Sequence, residues 1–216
     1  MSENRTLVIG DIHGCARELQ KLLENVQPTR VILVGDLFTK GPDPSGVWEL
    51  IQQYRMQAVL GNHDAWLLKI RDGEVEPRPK HERIVDCLDQ RAPGWESWLR
   101  KLPLFLDLDP FIVVHAGLHP SGEVEKTTSE MALLMRHWPM GNLSAPHWHE
   151  VYTGQRGVIF GHDARQGLVY IRRNNQPFLI GLDTGCVYGK KLTGYLLEKD
   201  ELFQVSAAQV YQPIYC

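Results

Sequence analysis

The sequence predicts an α/β fold in which a parallel sheet is built first, helices lie over it, and a second sheet packs on the first. Two observations predict this. Three runs of β-branched or aliphatic residues, Leu7-Val8-Ile9, Val31-Ile32-Leu33-Val34 and Ala58-Val59-Leu60, alternate with segments of helical period. Strand, helix, strand, helix, strand is the sequence form of right-handed βαβ crossovers. Beyond Leu102 the chain turns to short strand-like stretches separated by Gly, Pro and Asn, which suits a second sheet.

Taken in order, each element has a local reason. Leu19, Leu22, Leu23 and Val26 recur at i, i+3, i+4 and i+7, and Val47, Leu50, Ile51 and Tyr54 repeat the pattern, so each set marks one face of an amphipathic helix. Helix-like stretches broken by Glu76-Pro77-Arg78-Pro79 predict a helical insertion at the rim, over about residues 66–100. The later strands are expected at 105–108, 111–115, 158–160, 168–171, 178–182 and 194–197. With 216 residues and 43% hydrophobic content, the chain can bury a full core as one domain over 1–216.

Composition excludes several classes of partner. A net charge of −3 gives no field for drawing in duplex nucleic acid. The longest apolar runs fall far short of the ~20 residues of a membrane span, and Met1-Ser2-Glu3-Asn4-Arg5 is too polar to open a signal peptide, so a cytoplasmic location is expected. Cys15, Cys87, Cys186 and Cys216 form no C-x-x-C pair, which argues against a disulfide framework and a structural zinc site. Cys15 and Cys186 sit beside motif glycines, as small buried fillers or as oxidation-sensitive thiols.

Five blocks carry the chemistry: Gly10-Asp11-Ile12-His13-Gly14, Gly35-Asp36 running to Gly41-Pro42, Gly61-Asn62-His63-Asp64, His115-Ala116-Gly117 and Gly161-His162. The first three follow the aliphatic runs, at the carboxyl ends of strands, where α/β folds put their chemistry. Asp, Asn and His of this kind hold two metal ions around a phosphate. Such ions, about 3.5–4 Å apart, neutralise phosphoryl oxygens and lower the pKa of a bound water. Mixed oxygen and nitrogen ligands suit Mn²⁺, Co²⁺, Fe²⁺ or Zn²⁺ better than Mg²⁺ or Ca²⁺. An anionic substrate would be attracted locally, by the metals with Lys40, Arg136, Arg165 and the pair Lys190-Lys191.

In this order and spacing the blocks resemble the metallophosphoesterase superfamily, in its phosphoprotein-phosphatase branch. Protein phosphatases read Gly-Asp-x-x-Asp-Arg-Gly in the second block, whereas this chain has Gly35-Asp36-Leu37-Phe38-Thr39-Lys40-Gly41-Pro42. That departure is similar to the ApaH-like phosphatases, relatives of the symmetrical diadenosine tetraphosphatases. Gly161-His162-Asp163-Ala164 and Leu182-Asp183-Thr184-Gly185-Cys186 point the same way.

The resemblance implies a calcineurin-like sandwich, two mixed β-sheets flanked by helices. It implies two divalent metal ions, Mn²⁺ foremost, with Asp36 as the bridge, Asp11 and His13 completing one site, and Asn62, His115 and His162 the other. His63 is then the general acid, and Lys40, Arg136 and Asn62 hold the substrate phosphate. Thr39 stands where protein phosphatases carry the Asp that orients this His, and Asp64 is an alternative partner for it. Asp183 either bonds a metal-holding His or makes an ordinary Asp turn.

The implied reaction is hydrolysis of a phosphoanhydride, from a dinucleoside polyphosphate, an inorganic polyphosphate or a nucleotide polyphosphate. The rivals are a serine/threonine protein phosphatase, whose partner is a phosphoprotein, and a scaffold that kept the fold without catalysis. The stretch from Trp138 to His149 either stacks a nucleobase or is a loop pinned by buried tryptophans. His81, His119, His137, His147 and His149 have no motif support as metal ligands.

Overall fold

The computed structural model describes residues 4–212, so Cys216 and the first three residues lie outside the described residues. In chain order the first half holds β1 (Thr6–Ile9), α1 (Ala16–Val26), β2 (Arg30–Leu33), α2 (Pro44–Gln53), β3 (Gln57–Ala58), α3 (Asn62–Arg71), α4 (Pro79–Arg91) and α5 (Trp95–Leu99). The second half holds β4 (Phe105–Leu108), β5 (Phe111–Val114), α6 (Ser129–Leu134), β6 (Gly157–Phe160), β7 (Val169–Arg173), β8 (Gln176–Gly181), β9 (Lys191–Leu196) and β10 (Glu201–Ser206).

β1, β2 and β3 pair in parallel, and β9 and β10 add antiparallel to β1, giving the order β10-β9-β1-β2-β3. The second sheet has the order β4-β5-β6-β8-β7, with β5, β6 and β8 parallel and antiparallel strands at both edges.

Alternation across β1 divides the core. Leu7 and Ile9 face α1 and α2, where they pack with Leu19, Leu22, Leu23, Val47 and Ile51. Val8, between them, points the other way with Ile32, Val34 and Val59 onto Val113, Ile159 and Ile180 of the second sheet. The far face of that sheet is covered by α6 and by Trp148. Each α1 leucine taken fully out of water contributes on the order of 1.5–3 kcal/mol, which is why the i, i+3, i+4 stripe fixes the helix to the sheet. α2 starts where Asp43 accepts a bond from the Gly46 peptide N–H at 2.8 Å and Pro44 opens the first turn.

Three differences from the expected elements have physical causes. β10 was not among the expected strands, because of its six residues only Val205 is buried, so it carries almost no apolar signal. β3 is two residues long and leaves the sheet early, since the Leu60 N–H turns to the Pro103 carbonyl at 2.9 Å. The helices after the third block begin at Asn62, and Leu67, Val85, Leu88, Trp95 and Leu99 pack into the core beneath α1 and α2 instead of only rimming it. Among the described residues no helix is long and apolar enough to cross a membrane.

Candidate active site

Six loops leave the carboxyl ends of β1, β2, β3, β5, β6 and β8 and meet at one edge of the sandwich. Their approach needs missing side chains: a Cβ on Gly61 would stand 2.2 Å from the Asp36 nitrogen, and one on Gly161 would stand 2.0 Å from Asp11 Oδ1. His13, Asp36, Lys40 and His162 all adopt left-handed backbone, with φ of 48°, 56°, 69° and 73°. Each costs roughly 1–2 kcal/mol in a non-glycine residue. Peptide bonds between the loops, such as His13 N–H to the Asp36 carbonyl and Gly14 N–H to the Leu37 carbonyl, both 2.8 Å, hold them there.

Those turns gather the expected ligands. The Asp36 carboxylate lies 3.5 Å from His13 Nε2 through one oxygen and 3.5 Å from His115 Nε2 through the other. Asn62 Oδ1 is 2.9 Å from His115 Nε2 and 3.0 Å from His162 Nδ1. Asp11 accepts the His162 peptide N–H at 3.1 Å. A stretch spanning residues 4–166 matches the family model described as calcineurin-like phosphoesterase.

The chain is a calcineurin-like phosphoesterase. A symmetrical bis(5'-nucleosyl)-tetraphosphatase of Vibrio parahaemolyticus is 35% identical to it, over 94% of this chain and 98% of the relative. One from Aromatoleum aromaticum is 29% identical, over 93% and 96%. A solved structure described as a candidate diadenosine tetraphosphatase superposes with a TM-score of 0.80 at 32% identity, covering 94% of each chain. These relatives bear out the resemblance to the ApaH-like phosphatases, and the two mixed sheets flanked by helices are the fold it implied. A protein serine/threonine phosphatase structure from Saccharomyces cerevisiae, with TM-score 0.53 and 12% identity over 99% of this chain and 81% of that one, shares the fold alone.

Membership makes this phosphoesterase a hydrolase and implies divalent metal ions, and its own donors fit them. His115 Nδ1–H donates to the Val34 carbonyl at 2.8 Å, so Nε2 presents a lone pair to the oxygens of Asn62 and Asp36. Burial pushes the His115 imidazole down to about 4, so no proton relieves that opposition near neutrality. His162 Nε2 is buried without any partner. Burial, and after it the charges of Asp183 and Asp36, drive Asp11 well above the carboxylate range, while burial above all raises Asp36 and Asp183 to about 6. Crowded carboxylates and bare imidazole nitrogens lack positive charge. One lysine stands in for it, as Lys40 Nζ donates to His13 Nε2 at 2.9 Å.

Thr39 and Asp64, the first in the place of the orienting Asp and the second an alternative partner for His63, both bond elsewhere than its ring. The Thr39 hydroxyl lies 3.2 Å from His13 Nδ1, and because His13 Nε2 accepts from Lys40, it is Nδ1–H that donates to Thr39. Thr39 therefore orients His13. The Asp64 carboxylate accepts the peptide N–H groups of Asp36, Leu37 and Gly61 at 2.7, 3.0 and 3.2 Å, tying the third block to the second. His63 stands edge-on to His13, ring centroids 5.1 Å apart, and its peptide N–H donates to Asp36 Oδ1 at 2.8 Å. If His13 holds a divalent ion, Thr39→Val is expected to weaken divalent-metal binding by roughly 10–100-fold, the usual cost of losing a group that orients a ligand. Calorimetric titration checks this; an unchanged affinity would show that packing alone positions the ring.

The phosphoesterase opens to solvent over this cluster in a cleft of about 380 Å³ whose walls carry Lys40, Lys80, Arg136 and Arg165. Arg136 reaches the His162 carbonyl at 3.4 Å and Asp163 at 3.7 Å. Lys190 and Lys191 do not line the cleft: Lys190 Nζ bonds the Ala164 carbonyl and Lys191 Nζ bonds Gln204. Asp183 does, with Oδ1 accepting the Gly185 N–H at 3.1 Å in an Asp turn. Lys80 and Tyr188, the latter lying 5.5 Å beneath the Lys40 ammonium, had no motif signal in the sequence.

The loop to His149 is pinned by its aromatics. Trp148 is buried against Phe160 and Tyr152, Trp138 packs edge-on to His119, and His137, His147 and His149 stack on one another. Neither tryptophan lines the cleft, which favours the reading of a loop pinned by its own aromatics.

Proposed function

We propose that the chain hydrolyses phosphoanhydride bonds of dinucleoside polyphosphates and related polyphosphates with two divalent ions, Mn²⁺ foremost, acting in a reducing cytoplasm where Cys15, Cys87 and Cys186 stay free thiols. The observation that carries this reading is the cation-poor cluster of Asp11, His13, Asp36, Asn62, His115 and His162 beneath a basic cleft. The names of the relatives that align along nearly their whole length support the substrate class.

In this reading Asp11, His13 and Asp36 would hold one ion, and Asp36, Asn62, His115 and His162 would hold the other. The ions, when bound, neutralise phosphoryl oxygens and supply an activated water. The remaining chemistry belongs to side chains. Lys40, Arg136 and Asn62 hold the scissile phosphate, with Lys80 and Arg165 extending the positive wall along a polyphosphate. A lysine supplies a point charge without the bidentate fork of arginine, which tolerates the varied poses of a flexible chain. His63 delivers a proton to the leaving oxygen. Neither Thr39 nor Asp64 bonds its ring, and the carboxylate within 4.8 Å of it, Asp36, is the one the metal ions would take up, so leaving groups that need little protonation, such as phosphates, are favoured over serine alkoxides.

The test is a substrate panel with Mn²⁺ or Co²⁺. kcat/KM for tripolyphosphate and diadenosine tetraphosphate is expected to exceed that for a phosphoserine peptide by on the order of tenfold or more, a difference of one factor of ten per 1.4 kcal/mol of transition-state binding. A preference for the peptide would overturn the reading in favour of a protein phosphatase.

A further inference from the structure

Beside His63 a second recess, of about 400 Å³, opens off the same cleft and shares Asn62, His63 and Lys80 with it. We propose that this recess is a nucleobase subsite, holding the base of a nucleotide whose phosphates run into the cleft, with Trp66 as the stacking platform and His81 reading the base edge. The proposal rests on the phosphoanhydride reading above and adds what that reading leaves open, the part of the protein that recognises the nucleoside.

Four features converge on a flat, polar-edged, anion-linked ligand. Trp66 is 38% exposed and is the one aromatic among the large apolar side chains left open to solvent in the described residues; Leu134, 47% exposed, lies with it in the same recess. Aromatic faces of this kind bind bases without sequence preference. His81 is nine-tenths buried, yet its Nδ1 has no hydrogen-bond partner. His81 itself lines the recess, and a purine edge carries both donors and acceptors, so it can pair with the open side of that ring in either tautomer. Lys69, Arg78 and Lys80 line the recess and no carboxylate does, which suits a ligand that carries phosphates and disfavours a basic peptide.

Helix geometry explains the placement. Trp66 lies one turn after His63 on α3, so both project from the same side of that helix. A base on Trp66 and a phosphate at His63 are thereby brought within one nucleotide of each other. The aromatics of the 138–149 loop are consumed by their own packing, and Tyr188, on the cleft wall, lies beneath the Lys40 ammonium, which leaves Trp66 as the exposed indole of the adjoining recess.

Trp66→Ala removes an exposed side chain and leaves the core untouched, so the variant folds. With Mn²⁺ present, its kcat/KM for diadenosine tetraphosphate is expected to fall on the order of tenfold, in line with alanine replacement of a stacking ring, while that for tripolyphosphate, which has no base, changes by less than about threefold. Equal losses on both substrates, or no loss on the nucleotide, overturn the subsite and leave the phosphoanhydride reading standing. If the wild-type protein hydrolyses neither substrate, that reading fails instead, and ADP titration followed by tryptophan fluorescence decides the subsite alone. A quench in the wild type that disappears in Trp66→Leu supports it; the same quench in both overturns it.

Discussion

Asp36→Asn is expected to leave a folded protein that holds neither metal ion and hydrolyses no substrate. The carboxylate reaches His13 with one oxygen and His115 with the other, the placement that the proposed bridging role requires. An amide keeps the size but offers one acceptor in place of two and carries no charge. Loss of a group that merely supports a ligand costs up to ~100-fold, and loss of the bridge should cost more, bringing activity below about one hundredth of wild type. The backbone should tolerate the change, because Asn adopts the left-handed conformation at this position readily. Metal content of the purified variant, its far-UV circular dichroism and its turnover in excess Mn²⁺ check the three parts. Recovery of several per cent of activity at high Mn²⁺ would mean that another carboxylate, Asp183 being nearest in kind, can bridge.

Much of this site is legible in the sequence because parallel strands make it so. Each buried strand declares itself as a short aliphatic run, the chemistry sits in the two or three residues that follow, and strands of common direction bring those residues to one edge. That Asp11, Asp36 and Asn62 meet could therefore be read from Leu7-Val8-Ile9, Val31-Ile32-Leu33-Val34 and Ala58-Val59-Leu60 alone. What each side chain does there is a proposal, and its finer partners were not legible. Whether Thr39 reaches His13 or His63 depends on left-handed turns at Asp36 and Lys40, which nothing in their side chains announces. Asp64 reads as an acid beside a catalytic histidine, yet it serves two adjacent backbone donors of the loop after β2, 27 and 28 residues away in sequence. β10 escaped because an edge strand with one buried residue has no pattern to detect. Trp66 escaped because a tryptophan on an amphipathic helix is usually core, and only the packing reveals that it faces out.

His63→Asn is expected to keep the metal ions and lose turnover. The peptide N–H of residue 63, not its ring, bonds Asp36, so the substitution leaves the ligand geometry intact. The ring is the group at stake. Burial first, and Lys40 second, push the His63 imidazole down to about 3, so in the ligand-free cleft it is neutral. A polyphosphate entering beside it brings the negative charge that favours the imidazolium, and the proton so acquired is held loosely and passed on readily. Loss of a general acid costs 10²- to 10⁴-fold, about 3–5 kcal/mol of barrier. The cost must depend on how much the leaving oxygen needs that proton. On 4-nitrophenyl phosphate, whose phenolate leaves without help, the loss should shrink to within about tenfold, while on an alkyl phosphate it should reach the upper end of the range. Steady-state kinetics on both esters at equal metal occupancy make the comparison. Equal losses would remove His63 from proton transfer and leave it the role its position also allows, a neutral donor that orients the phosphate between Lys40 and Arg136.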